Sequence, residues 1–446
     1  MDNPKVPLTL LRGETLLMDE YFLDTLPNGL RVVTVEMPHL HSAEVVCYVG
    51  VGSRFETPEC AGISHFLEHM LFRGTAEFAD SLELERAFEA IGGAVNAATD
   101  AETTCYHSRV HPDQLERGLA IFASMLLRPK LADLEVERRI ILEEASEDLN
   151  ERGEQISPDN LTAALLWPRL PLGMPTIGTR DSILAVDRAA LLAHLERHYT
   201  PANTVIAVTG RVRRSAVLGA VQRHFACWQG TEPAAAPAGL AEPDAGGPES
   251  VWVQDSDSQV SLQFAFRLPG RASEHAVALR VLRRVLSWGG TSRLMLHLRE
   301  RLGLTYNAEA NLALYDDCGV LAVDLAVNPE NTVAAAREVL QVIDELCREP
   351  VPEEELQRVI QGYLFDLDFS MDHTEDLAIR YGWGTLVGYR RTLADDRREL
   401  AAATSAALLR SARERLVPGA LKLAVVGPWK KQDRKAVEEL LRGFQS

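Results

Sequence analysis

The sequence predicts an α+β protein made of two homologous domains in tandem, each an α/β sandwich whose mixed, largely antiparallel sheet carries helices on one face. Three observations predict it. At 446 residues the chain is too long for one hydrophobic core and long enough for two of ordinary size. Runs with strand alternation and runs with helical period follow one another without strict βα alternation, which argues for α+β layering. Finally, residues 250–446 repeat the element order of residues 1–230, and a Pro/Ala/Gly-rich stretch without periodicity, 231–249, separates them as a linker.

The elements are justified in order. Glu20 to Glu36 alternates around Pro27-Asn28-Gly29, the signature of a hairpin. Glu44 to Val51 reads as a third strand and leads to a helix opening at Gly62. Ser81 to Ile91 has helical period and stops at Gly92-Gly93. Strands are expected near Ala94–Ala98 and Glu102–Val110. A helix opens at Pro112 with an acidic first turn and runs to about Leu127, and another spans Asp133 to about Arg152. Helix Val186–His198, strand Thr204–Thr209 and helix Arg213–Phe225 close the first half. In the second half, strand Val260–Arg267, helix Ser273–Trp288, Gly289-Gly290 and strands up to Val327 follow the same plan. A helix opening at Asn328-Pro329, helix Glu353–Asp368, strand Leu421–Val426 and helix Gln432–Leu441 complete it.

Composition narrows the function. A formal net charge of −18 excludes nucleic acid as the main partner, because phosphate binding needs a basic face. No run approaches the roughly 18 apolar residues of a membrane span. The first residues lack a basic stretch followed by an apolar core, and the six cysteines show no CxxC pair. Both point to the cytoplasm, with reduced thiols.

The chemistry is concentrated in Gly62 to Thr75, GISHFLEHMLFRGT. On a helix His65, Glu68 and His69 share one face, with about 100° of turn per residue. Imidazoles at i and i+4 bind one Zn²⁺ ion, and a carboxylate beside them, outside the coordination sphere, takes a proton from water, which is the chemistry of a metal hydrolase. A catalytic zinc site takes three protein ligands, so a third is required. In LEVERRIILEEASEDLNER, Glu144 shares the stripe of Ile140 and Ile141, where an unpaired carboxylate is costly. It is the expected third ligand, with Glu137 two turns earlier supporting the metal ligands from behind. Glu143 tracks with Arg139 on the solvated side. His194 and His198 also stand at i and i+4, but Glu196 points away from them and Tyr199-Thr200-Pro201 ends the helix, so that pair is read as structural. The second-half counterpart of the metal helix, Val277–Trp288, contains neither histidine nor glutamate, which leaves one zinc site per chain.

These residues resemble a known family. HxxEH followed by a glutamate about 75 residues later is the inverzincin pattern. The flanks GSRFE, GGAVNAATDAETTCYHSRV, HYTPANTVIAVTG and RERLGLTY are similar to the mitochondrial processing peptidase, pitrilysin and insulin-degrading enzyme family of zinc peptidases, above all its single-unit bacterial members. The resemblance implies a processing-peptidase-like fold, His65, His69 and Glu144 as zinc ligands and Glu68 as general base. It also implies that Asn96 and Ala97 lie on a strand that binds an extended peptide by strand addition. Read from its surroundings alone, Asn96 is a turn residue after Gly92-Gly93. Arg299 and Tyr306 match the family's pair that orients substrate and stabilises the oxyanion; without the resemblance Arg299 reads as an ordinary exposed arginine. The resemblance further implies a closable chamber around a peptide substrate. A homodimer whose sites are completed by the other copy's Arg299 and Tyr306 is the simplest expectation, with a heterodimer with a related subunit as the alternative, and residues 231–249 would let the two bowls hinge. A silent peptide-binding or scaffolding subunit is the competing reading; a structural metal site lacks a fourth ligand.

Overall fold

The computed structural model describes residues 20–231, 235, 237–239 and 246–444. The first sheet contains β1 (Phe22–Thr25), β2 (Arg31–Glu36), β3 (Ala43–Val49), β4 (Val95–Thr99), β5 (Thr104–Val110) and β6 (Thr204–Gly210), in the order β1-β2-β6-β3-β5-β4. The second contains β7 (Glu249–Gln254), β8 (Val260–Pro269), β9 (Ala308–Leu314), β10 (Cys318–Val327) and β11 (Leu421–Gly427), in the order β7-β11-β8-β10-β9. Apart from β1 the two orders superpose strand for strand. The one parallel pair, β2 with β6, recurs as β7 with β11, and all other pairs are antiparallel.

Seven helices matter for function: α1 (Ile63–Met70), α2 (Leu134–Ser146), α3 (Pro158–Leu166), α4 (Arg188–His198), α5 (Ala276–Ser287), α6 (Glu353–Ser370) and α7 (Thr374–Ala378). α2 stops at Ser146, short of the expected Arg152, because the chain turns there and Leu149 bridges to Gln155. α1 and α5 occupy equivalent places, lying along the chain between β3 and β4 and between β8 and β9, and each packs on the edge strand that follows it, β4 or β9.

Each sheet buries one face under its own helices. Val32, Val45, Cys47, Ile206 and Val208 point into one core, and Leu262, Phe264, Phe266, Val323 and Leu423 into the other. The opposite faces take a helix from the other half. α7 and the turn that follows it set Leu377, Ala378 and Tyr381 on Val33, Val46, Val205 and Ala207. The approach is so close that a Cβ on Gly382 would lie 2.6 Å from that of Ala207. In return α3 crosses β8 and β11, where Leu166 O accepts from Arg267 and Thr162 bonds Gln263.

An ionic knot, buried except at Asp317, adds to this. Arg54 Nη1 bonds Glu102 at 2.7 Å and Arg54 Nη2 bonds Asp317 at 2.5 Å, while Arg271 from the second half also reaches Glu102. Pro237 O accepts from Arg54, and Gly239 N donates to Asp317. The expected hinge between the halves therefore does not fit this arrangement. Exchanged helices and desolvated charges fasten the halves to one another, and residues 237 and 239 of the expected linker are docked on that junction. No helix among the described residues is long and apolar enough to cross a membrane.

Candidate metal centre

The site is built on α1. The helix starts from Gly62, whose φ of +86° lies in the left-handed region, and a Cβ there would stand 2.2 Å from Ile177 O. Glu56 takes the opening N–H groups, accepting from Gly62 N at 2.6 Å and Ser64 N at 2.8 Å. Burial holds its carboxyl above the ordinary value against the pull of those donors. Ile63, Phe66, Leu67 and Met70 enter the core, which turns His65, Glu68 and His69 to the remaining face.

α2 lies across that face. His65 Nε2 and His69 Nε2 each stand 3.6 Å from an oxygen of Glu144, and the three donor atoms lie within 4.8 Å of one another. Two atoms each about 2.1 Å from a tetrahedral ion stand about 3.4 Å apart, so the trio fits Zn²⁺. Among the described residues no other histidine, cysteine or acidic group gathers in this way. Glu137, two turns before Glu144, accepts from His69 Nδ1 at 2.8 Å and also bonds Arg73. That bond puts the ring proton on Nδ1 and turns the Nε2 lone pair toward the centre.

The electrostatics set the two histidines apart. Burial, helped by the neighbouring His69, lowers the His65 pKa to about 4, so the ring is neutral and ready to ligate. Burial also works to lower His69, but the hydrogen bond and charge of Glu137, with Glu144 and Glu68, outweigh it and raise the value. Glu68 stands outside the trio, held by Thr99 Oγ1 at 2.5 Å, and burial raises its pKa. A carboxylate of raised pKa beside a metal trio suits proton transfer.

Residues 31–180 match the family model described as insulinase, peptidase family M16, and residues 185–363 match the peptidase M16 inactive domain. A Mycobacterium tuberculosis protein named as an uncharacterized zinc protease is 36% identical over 335 residues, 74% of this chain and 76% of its own. The chain belongs to the M16 peptidase family. A Bacillus subtilis protein, likewise named as an uncharacterized zinc protease, is 29% identical over 83% of this chain and 89% of its own. A solved protease from Helicobacter pylori has the same fold, with a TM-score of 0.83 at 22% identity over 92% of this chain and 99% of that one. A Pseudomonas fluorescens structure described as a peptidase M16 inactive domain aligns at a TM-score of 0.80 and 20% identity, over 92% and 98%.

Within this M16 chain the sequence-predicted residues divide into two groups. His65, Glu68, His69, Glu137 and Glu144 converge. The stripe argument for Glu144 needs correction, because Ile141 is buried while Ile140 and the Glu144 side chain are each 45% exposed. Glu144 therefore reaches the histidines from a partly solvent-exposed position on α2. Asn96 and Ala97 lie on β4, so the turn reading of Asn96 falls; it pairs with His107 in the ladder, and β4 is the outermost strand of its sheet.

Arg299 and Tyr306 form a separate pair, the guanidinium 4.7 Å from the ring centre, with Tyr306 82% exposed. No hydrogen bond, ion pair or ring contact among the described residues joins them to the histidines or Glu144 of the same chain. His194 and His198 are structural, as expected. Both are buried, His194 Nε2 meets Ser64 Oγ at 3.1 Å, and burial lowers their pKa values to about 3 and about 4. Sequence reasoning missed Glu56 and Thr99. Glu56 lies too far before the helix to form a local capping pattern, and Thr99 meets Glu68 only through the sheet.

Proposed function

We propose that the chain is a zinc endopeptidase that hydrolyses short or extended peptides within a closable chamber, working in the cytoplasm as a homodimer. The observation that carries this reading is the convergence of His65, His69 and Glu144 with Glu68 standing just outside them. Zinc held by that trio supplies Lewis acidity, polarising a carbonyl and making water more acidic. Glu68 takes the proton from the attacking water and delivers it to the leaving amine. The free edge of β4, with Asn96 and Ala97, pairs with the substrate main chain, so that affinity makes little demand on side chains. Arg299 and Tyr306 donate to the carbonyl oxygen as it gains charge.

That last role supports a second copy. The pair is exposed and makes no contact with its own metal trio, while the two halves of one chain are fastened together, so closure is assigned to the junction between copies. Mixing inactive variants tests this. Under trans completion, Glu68→Gln mixed with Tyr306→Phe regains about a quarter of wild-type cleavage, because half of the dimers are mixed and each keeps one intact site. If each site is completed within one chain, the mixture stays inactive. Zinc content and cleavage of a fluorogenic peptide, with and without chelator, test the peptidase reading itself; cleavage unaffected by chelator removes it.

A further inference from the structure

The second half carries a modified copy of the metal face. On α5, Arg280, Arg283 and Arg284 repeat the i, i+3, i+4 spacing of His65, Glu68 and His69, on the helix that holds the same place in the duplicated fold. Glu68 is tied to β4 through Thr99, and Arg283 is tied to the equivalent strand β9, its Nε donating to Ala310 O at 2.8 Å. Tyr363 stands at the same place along α6 as Glu144 does along α2, and the Arg284 guanidinium lies 3.8 Å from the centre of its ring.

Two of the three are balanced. Arg284 pairs with Asp366 at 2.7 Å, and Arg280 lies 3.8 Å from Asp396. Arg283 has no carboxylate within ion-pair distance among the described residues, and Arg284 Nη1 is buried without a hydrogen-bond partner. All three arginines line a cavity of about 710 Å³ between the halves, a volume typical of ligand pockets. The acids on its other walls are already supplied with donors. Asp100 accepts from Thr103 and Glu102 N, and Asp159 accepts from Gln263. Among the described residues, the donors left without an acceptor thus lie on the second-half wall, at Arg284 Nη1 and on the Arg283 guanidinium beyond its Nε.

Thr99 belongs to the same cavity wall and also holds Glu68, so the cavity opens beside the metal face. We infer that Arg283, with Arg284 beside it, is an anionic anchor that binds one carboxylate of a peptide whose main chain lies at the metal site. The carboxylate comes from an Asp or Glu side chain or from the peptide C-terminus. This rests on the peptide-binding part of the proposed function and not on cleavage.

Binding to the full-length Glu68→Gln chain tests it without turnover. Fluorescent ten-residue peptides of one sequence are titrated with both carboxylates present, with the C-terminus amidated, with the acidic residue changed to its amide, and with both changes made. The doubly neutral peptide is expected to bind about tenfold more weakly, as loss of a charge-assisted hydrogen bond implies. The single changes show which carboxylate is held. Adding Arg283→Ala should abolish the difference between charged and neutral peptides, and Arg283→Lys should retain part of it. Equal binding of charged and neutral peptides overturns the inference. So does discrimination that survives Arg283→Ala in a chain with an unchanged melting temperature. A wild-type chain that cleaves nothing would end the peptidase reading while leaving the binding result to stand by itself.

Discussion

α1 and α5 sit on equivalent strands of equivalent sheets, yet one presents His65, Glu68 and His69 and the other Arg280, Arg283 and Arg284. The apolar residues around them hardly differ in kind. Phe66 and Leu67 are buried on one helix, and Val281 and Leu282 on the other. Positions facing the core keep the fold, and positions facing away from it are free to carry any chemistry that neighbouring helices can balance. Glu137 and Glu144 provide that balance in the first half, and Asp366, Asp396 and Tyr363 in the second.

The contrast breaks most directly at Glu68. Glu68→Gln should lower peptide cleavage about 10²–10⁴-fold while zinc content by metal analysis stays at the wild-type level; undiminished cleavage would mean that the first half is no more a reaction centre than the second. Asp396→Asn removes a mostly buried acid bonded to Arg380 at 2.6 Å and Arg391 at 2.7 Å. Denaturant unfolding should show a loss of about 3 kcal/mol. Burial tends to raise the Asp396 pKa, but the two arginines outweigh it and hold the value below the usual one. Its contribution is thus complete above the ordinary Asp range, near 4, and disappears as pH falls through the depressed folded-state value, a slope the Asn variant should lack.

A smaller effect is expected at Glu137. Glu137→Gln should weaken zinc about 10–100-fold in a chelator competition, since His69 loses its anionic partner. Equal zinc affinity would show that α2 contributes only Glu144. The mildest change is Glu56→Gln, where an amide oxygen replaces a carboxylate at the start of α1. It should cost about 1 kcal/mol of stability and lower kcat more than it raises KM, because it acts through the orientation of the helix.

How far the sequence could be read follows from the range of each interaction. His65, Glu68 and His69 were legible because helical spacing alone puts them together, and the duplication was legible because strand and helix periods repeat. Glu144 was found on the right helix with an imperfect reason, since the apolar stripe containing Ile140 proved half exposed. The contacts that needed the fold left no local trace. The Arg54, Glu102, Arg271 and Asp317 knot joins residues up to 263 positions apart, and no period or motif marks such partners in advance. The crossing of α3 and α7 was hidden for a related reason: nothing in the strand pattern shows that Gln263, Arg267 and Lys422, on the outer face of the second sheet, are all buried.

The crossing also sets an order of events during synthesis. On the ribosome, Val33, Val46, Val205 and Ala207 emerge long before Leu377, Ala378 and Tyr381, so the nascent first half carries an uncovered apolar sheet until the later part of the message has been read. The helix of the candidate metal centre is complete early, but the scaffold beneath it closes late. A polypeptide released halfway would present an adhesive surface to chaperones and proteases before it had a finished site of its own.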